Sequence, residues 1–88
     1  MDNHTISEHL RRHARELEAE GGNLYRVRAY RRAAQTVLAA EQPMAALLER
    51  GGRAALRALP GIGPHIALAI ESLVRTGQLP PPVATPAA

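Results

Sequence analysis

One short stretch of the sequence restricts the fold more than any other: Leu59-Pro60-Gly61-Ile62-Gly63-Pro64-His65-Ile66-Ala67. Its two glycines permit backbone angles that a side chain forbids, and Pro60 and Pro64 fix φ on either side of them. Pro64 also suits the first turn of a helix, where its missing N–H leaves no hydrogen bond unmade. The stretch therefore predicts a tight turn that leads into a helix and presents N–H groups at the positive helix end, where an oxyanion such as phosphate can bind.

Composition favours packed helices over a sheet. The chain has 88 residues, enough for one small domain, and contains no Phe or Trp and only two Tyr. Its core must therefore be built from Leu, Ile, Val and Ala, and Ala is the best helix former and a poor strand former. We expect an all-α fold, a compact bundle of four to five short helices over residues 1–79, followed by a flexible Pro/Ala-rich tail at residues 80–88.

Capping residues place the first two helices. Thr5 with Glu8 three residues later predicts a capping box, and Gly21-Gly22 ends that first helix. Asn23 is expected to cap a second helix over residues 24–40. Helical periodicity gives these two helices the following buried positions: Ile6, Leu10, Ala14, Leu17, Val27, Tyr30, Ala34, Val37 and Leu38.

Glycine and proline divide the second half of the chain into three further helices. A short third helix begins at Pro43 and is closed by Gly51-Gly52. A fourth runs over residues 53–59, and a fifth runs over residues 64–76 with Gly77 as its stop. On the fifth helix Glu71, Arg75 and Leu68 are expected to face solvent, whereas the buried stripe is Ile66, Ile70, Leu73 and Val74.

Positive charge is concentrated at the start of the second helix. The formal net charge is only +3, but every cationic side chain other than histidine is arginine, whose planar fork can bind two phosphate oxygens at once. No acidic residue interrupts the cluster formed by Arg26, Arg28, Arg31 and Arg32. A solvated helix face would explain the cluster, but its density favours a surface that contacts phosphate. The Tyr30 hydroxyl can reach the same surface.

Several other functions are excluded or disfavoured. The absence of cysteine rules out disulfides, thiolate catalysis and cysteine-ligated zinc. His9, His13 and Glu16 lie about one helical turn apart, but two histidines rarely suffice for a metal, and a solvated face is the favoured interpretation. Nothing resembles a signal peptide and no apolar run reaches membrane length, so we expect a cytoplasmic protein with no membrane partner.

The turn resembles a helix-hairpin-helix motif, in which Gly61-Ile62-Gly63 would present backbone N–H groups to a DNA phosphate without reading bases. Together with residues 23–34, which read NLYRVRAYRRAA, and with Thr76-Gly77, it resembles more closely the N-terminal domain of family X DNA polymerases, the polymerase beta type. This resemblance covers roughly residues 5–79. It implies four to five packed helices that bind gapped DNA at the downstream 5′-phosphate, and therefore a role in DNA repair.

Residue by residue, the resemblance implies a phosphate pocket and a cation site. The pocket positions fall on Tyr25, Arg26, Tyr30, Arg57 and His65, where His65 is a pH-dependent replacement for a lysine. The backbone carbonyls of Arg57, Leu59 and Ile62 match a site for a monovalent cation, Na⁺ or K⁺, and no other cofactor is implied.

The resemblance fails at the residue that carries the family's lyase chemistry. That chemistry needs a lysine amine one helical turn beyond His65, to form a Schiff base with the sugar aldehyde, and Ala69 stands there. Arginine cannot replace it because its guanidinium stays protonated, and only the N-terminal amine remains as a route to residual activity. The sequence contains no polymerase catalytic domain, and its carboxylates are too scattered for a two-metal site. We therefore expect no enzymatic activity.

Two functions from different classes remain. The first is a DNA-binding module that recognises phosphates with little base specificity, nucleoid-associated in the cytoplasm. The second is a helical protein-interaction module that has lost DNA binding and holds a partner through Leu68 or its apolar surface. Loss of lysine at the positions of His65 and Ala69 is what such a drift away from DNA binding would produce.

Overall fold

The computed structural model describes residues 1–80, which form four helices and no β-strand. Their bounds are α1 Asn3–Ala19, α2 Leu24–Ala39, α3 Met44–Arg57 and α4 Pro64–Thr76. The prediction of an all-α bundle is confirmed. Residues 81–88 of the predicted tail lie outside the described residues, and no described helix is long and apolar enough to span a membrane.

The start of α1 differs from the predicted capping box. The N-cap is Asp2, whose Oδ1 accepts a hydrogen bond from the Thr5 N–H at 2.8 Å, so the helix begins at Asn3. Glu8 does not reach back to the helix start, because its carboxylate lies 3.0 Å from His4 Nε2. The prediction was wrong because an aspartate three residues before Thr5 competes for the same N–H, and a carboxylate is a strong acceptor at a helix N-terminus.

α1 and α2 pack against each other over most of their length and contribute about half of the core residues. Asn23 caps α2 as predicted, its Oδ1 accepting from the Tyr25 N–H at 2.8 Å. The buried Ser7 hydroxyl donates to the Ala34 carbonyl at 2.9 Å and so satisfies a polar group inside this interface. The core consists of Ile6, Leu10, Ala14, Val27, Tyr30, Ala33, Ala34, Val37, Met44, Leu48, Leu56, Ile62, Ile66, Ala67, Ala69, Ile70 and Leu73. Leu38 does not belong to it: it is 48% exposed, one helical position beyond the buried stripe.

The predicted third and fourth helices are the two halves of α3. They are divided by a kink at Gly52, whose φ of 63° and ψ of −157° are not helical, so the expected break is confirmed as a kink. The start of α3 is tied to the start of α1, because Asn3 Oδ1 accepts from the Met44 N–H at 2.9 Å. The Asn3 amide also donates to the Gln42 carbonyl at 2.8 Å. A single side chain therefore fixes where α3 leaves the α1/α2 pair.

α4 spans the predicted residues and ends at Gly77, whose left-handed φ of 78° allows its N–H to donate to the Leu73 carbonyl at 2.9 Å. Leu68 faces solvent as predicted. Glu71 does not: its side chain is only 20% exposed and lies 3.5 Å from Arg53 and 3.2 Å from Arg75. This small ion-pair network connects α4 to the second half of α3.

The turn between α3 and α4 is docked on α2. The Thr36 hydroxyl donates to the Pro60 carbonyl at 2.8 Å, and the side chain of Arg32 lies across Gly61. Gly61 has a φ of 76°, and a Cβ atom at this position would come within 2.9 Å of Arg32 Cδ. A glycine is therefore required at residue 61 both by the backbone and by its neighbour.

This geometry predicts different responses to alanine at the two glycines of the turn. Gly61→Ala should lower the free energy of unfolding by about 1 kcal/mol or more, since alanine at positive φ is strained and its methyl group displaces Arg32. Gly63 has a φ of −89° and open space around it, so Gly63→Ala adds neither strain nor a clash; alanine is a poorer N-cap than glycine, so this variant should lose some stability, but less than Gly61→Ala. Urea denaturation of the two variants measures the difference. Equal stability of the two would contradict the docked turn.

Candidate nucleic-acid interface

A groove of about 790 Å³ lies between the N-terminal half of α2 and the turn that leads into α4. It is open to solvent, and the docked turn forms one of its walls. The lining residues come from three places in the sequence and are Asn23, Tyr25, Arg26, Arg28, Ala29, Tyr30, Arg32, Arg57, Leu59, Gly61, Ile62, Gly63, Pro64, His65 and Ile66.

Four arginines give this groove its charge. Arg26, Arg28 and Arg32 come from α2, and Arg57 comes from the last turn of α3. All four are exposed, and none forms an ion pair with a carboxylate within residues 1–80. No acidic residue lines the groove. Unpaired cations held together at one surface produce the positive potential that attracts a polyanion.

Backbone donors add to the positive potential at the turn. The N–H groups of Gly61, Gly63, His65 and Ile66 have no acceptor in the part of the chain that the structure describes. Ile62 differs from its neighbours, since its N–H donates to the Leu59 carbonyl at 3.2 Å and its side chain is buried. The free donors at the turn therefore belong to the two glycines and to the first turn of α4, where the helix dipole also favours an anion.

The structure brings every predicted DNA-contact residue to this groove except Arg31. Arg31 points away from the groove, where its Nη2 donates to Glu18 Oε1 of α1 at 2.8 Å. Sequence analysis grouped it with Arg28 and Arg32 because it is close to them on the helix. It could not show that α1 would place a carboxylate on that side.

His65 joins the two sides of the groove. Arg26 Nη1 lies 3.1 Å from His65 Nε2, and the Tyr30 hydroxyl lies 3.0 Å from the same nitrogen. Since arginine can only donate, Nε2 must act as an acceptor, which assigns the proton of the neutral ring to Nδ1. The neutral form of His65 is therefore the one that fits the free groove.

The charge states of this cluster follow from its surroundings. Partial burial, and after it the positive charges of Arg26 and His13, lower the pKa of His65 below its ordinary value of 6.5. Burial raises the pKa of Tyr30, although Arg26 opposes this, so the phenol stays protonated at neutral pH and can donate. In the free protein the groove therefore holds a neutral imidazole surrounded by arginines.

His13 contributes to this cluster, which sequence analysis missed. Its ring lies edge-on to the Tyr30 ring with centroids 4.6 Å apart, and the centroids of Tyr30 and His65 are 5.9 Å apart. Sequence analysis favoured a solvated face for His13, with a metal site shared with His9 as the alternative. The spacing of His13 from Leu10 and Leu17 would have placed it beside the buried face of α1, although not against Tyr30 of α2.

The histidines of α1 are occupied by other contacts. Arg12 Nη2 lies 2.9 Å from His9 Nδ1, and His13 Nδ1 lies 3.8 Å from Glu16. Among the described residues no three His, Asp or Glu side chains are grouped so as to hold a metal ion.

The fold and the groove together define a small helical domain that presents arginine side chains and backbone N–H donors at one surface. The chain belongs to the helix-hairpin-helix domain family, whose model matches residues 1–79. No curated protein and no solved structure matches the chain. Helix-hairpin-helix domains generally bind DNA without base specificity, so membership indicates DNA binding in general.

The His65 cluster predicts a titration that NMR can follow on the imidazole ring. The pKa of His65 should lie below 6.5, and Arg26→Gln should raise it only part of the way back, since partial burial remains. The unfolded state, with a His65 pKa near 6.5, then takes up a proton more readily than the folded state. The free energy of unfolding should therefore decline as pH falls from 6.5 to the lowered pKa, and His65 should not change it above pH 6.5. A pKa at or above 6.5 in the free protein would contradict the donor arrangement around Nε2.

Proposed function

We propose that the chain is a non-enzymatic DNA-binding module that contacts the phosphate backbone and holds a 5′-phosphate at gaps or ends. The single observation that supports it is the convergence of four unpaired arginines with the free N–H groups of the turn. It would act in DNA repair, in the cytoplasm and on the nucleoid, as the resemblance to the N-terminal domain of family X polymerases implies.

A terminal phosphate suits the part of the groove around His65 better than an internal phosphate does. A phosphomonoester carries about −1.5 to −2 charges at neutral pH, whereas a backbone phosphodiester carries one. Arg26 and Tyr30 already share one acceptor nitrogen of His65, and phosphate oxygens can replace that acceptor. His65 would then be free to protonate and donate, so binding takes up a proton. Repeating the NMR titration with a 5′-phosphorylated oligonucleotide would report this as a higher pKa.

The turn also supports the proposed monovalent cation site. The carbonyls of Arg57 and Ile62 accept no backbone hydrogen bond within residues 1–80, and the Leu59 carbonyl accepts one, from the Ile62 N–H. A carbonyl oxygen has two lone pairs, so all three can still ligate a cation. Such an ion would reduce the repulsion between these carbonyls and an incoming phosphate.

The proposed absence of lyase activity rests on Ala69, which stands where the related domains have the Schiff-base lysine. Ala69 is 1% exposed and does not line the groove. No amine can therefore reach a sugar aldehyde from this position, and the nearest groove cations are arginines, which cannot act as nucleophiles.

Binding assays test the DNA proposal. We expect fluorescence anisotropy to show tighter binding to a gapped duplex with a 5′-phosphate than to the same gap without it or to an intact duplex. About four phosphate contacts would give a log–log salt slope near −4. Arg26→Gln and Arg57→Gln should each weaken binding about tenfold, irrespective of base sequence, and reduce the slope by about one.

Arg75→Gln is the matched control, because it removes the same charge from a side chain paired with Glu71 outside the groove. Equal losses for Arg26→Gln and Arg75→Gln would mean that the groove is not the contact. No DNA binding at low salt would favour the protein-interaction module, for which the 43% exposed Leu68 offers an apolar contact.

Borohydride trapping on a DNA substrate with an incised abasic site tests the non-enzymatic assignment. We expect no covalent adduct with the protein, because no side-chain amine is available. An adduct that persists after the N-terminal amine is acetylated would disprove the assignment, and one that disappears would identify residual lyase activity at the N-terminus.

A further inference from the structure

A second basic surface lies on α1, away from the groove. Arg11, Arg12 and Arg15 are all exposed, and none forms an ion pair with a carboxylate among the described residues. The carboxylates nearest in sequence are Glu8, which lies 3.0 Å from His4, and Glu16, which lies 3.8 Å from His13. Arg12 instead contacts His9 Nδ1 at 2.9 Å, which requires that nitrogen to be an acceptor.

This surface forms a shallow cleft along the seam between α1 and the end of α2. The cleft has a volume of about 430 Å³ and is lined by His4, Thr5, Ser7, Glu8, His9, Arg11, Arg12, Arg15 and Leu38. The Ser7 hydroxyl is already bonded to the Ala34 carbonyl, so the free donors on this surface are the arginines. The cleft therefore carries a net positive charge.

Charge is segregated along α1, and this separates the cleft from the groove. Residues 9–15 contain three arginines and no carboxylate, whereas Glu16, Glu18 and Glu20 follow at the end of the helix. The cleft and the groove share no lining residue, and Glu18 neutralises Arg31 of α2. Leu38 of the cleft lies about 9 Å along the helix from Arg32, the last groove arginine on α2, and residues 33–38 between them carry no charge. A phosphate backbone bound in the groove therefore finds no cation along this part of α2 that would lead it to the cleft.

We propose that the Arg11/Arg12/Arg15 cleft binds the phosphate backbone of a second DNA segment, so that one chain bridges two duplexes. The inference rests on the proposed function, because the first segment occupies the groove.

The chemistry of the cleft favours nucleic acid over an acidic protein segment. Protein interfaces bury an apolar centre, whereas interfaces with DNA are polar and strongly positive. Leu38, 48% exposed, is the only large apolar side chain in the cleft, against three unpaired arginines. Three phosphate contacts would give a salt slope near −2.7, or about a 40-fold loss of affinity between 50 and 200 mM salt.

A two-duplex capture assay with the full chain tests the inference. A gapped, 5′-phosphorylated duplex is fixed on beads, a dye-labelled intact duplex is added in solution, and protein retention and dye retention are measured separately. The variant R11Q/R12Q/R15Q should bind the beads as well as the control R50Q/R53Q/R75Q, which loses the same charge. It should retain at least tenfold less dye than the control.

Each outcome distinguishes the two proposals. Protein retained on the beads without dye, or equal dye retention by the two triple variants, overturns the second site and leaves the groove intact. If two copies of the protein associate and each binds one duplex through its groove, R11Q/R12Q/R15Q would still retain dye. Its dye retention would then equal that of the control variant, which also overturns the second site. Failure of the protein to bind the beads at all overturns both proposals. A dye-labelled acidic peptide with one leucine replaces the second duplex in a parallel arm, and its capture in place of DNA would assign the cleft to a protein segment.

Discussion

The contact between the turn and α2 is the constraint on which the binding surface depends. One hydrogen bond, from Thr36 to the Pro60 carbonyl, and the passage of Arg32 across Gly61 hold the turn against the helix. The turn alone offers only backbone donors, and α2 alone offers only a row of arginines. Their docking joins both kinds of donor in one groove and adds Arg57 from the end of α3. Phosphate recognition is therefore a property of the tertiary contact and not of either segment.

The distribution of carboxylates matters as much as that of the arginines. Glu18 pairs with Arg31, and Glu71 pairs with Arg53 and Arg75, so these acids neutralise cations on surfaces outside the groove. The groove is left with four like charges whose repulsion opposes folding, and salt or a bound polyanion would relieve it. Surface ion pairs add little stability, so their main effect here is to decide which surfaces stay positive.

Much of the fold could be predicted from local signals. Helix caps and breaks depend on residues within one helical turn, so they can be read from short stretches of sequence. The structure has the caps and breaks indicated by Asn23, Gly52, Pro64 and Gly77. The Asp2 cap was also a local signal, because aspartate is a preferred N-cap residue and lies three residues before Thr5. Long-range partners were not predictable: no local pattern shows that Glu71 is drawn into an ion-pair network by α3.

The candidate site divides in the same way. The turn and the arginine cluster were visible in sequence, together with a resemblance to a known domain. The exclusion of Arg31 and the place of His13 beside Tyr30 depend on how α1 packs against α2, and no motif encodes that packing.

Asn3 serves two helices at once. It is the first residue of α1, and its side chain bonds the backbone on both sides of the α3 start, at Gln42 and Met44. These two hydrogen bonds connect the first residue of α1 to the start of α3, near the middle of the described residues. Removing the first three residues would therefore remove the side chain that holds the start of α3, about forty residues later in the sequence. A fusion partner attached at this end must leave the Asn3 amide free to make the same two hydrogen bonds.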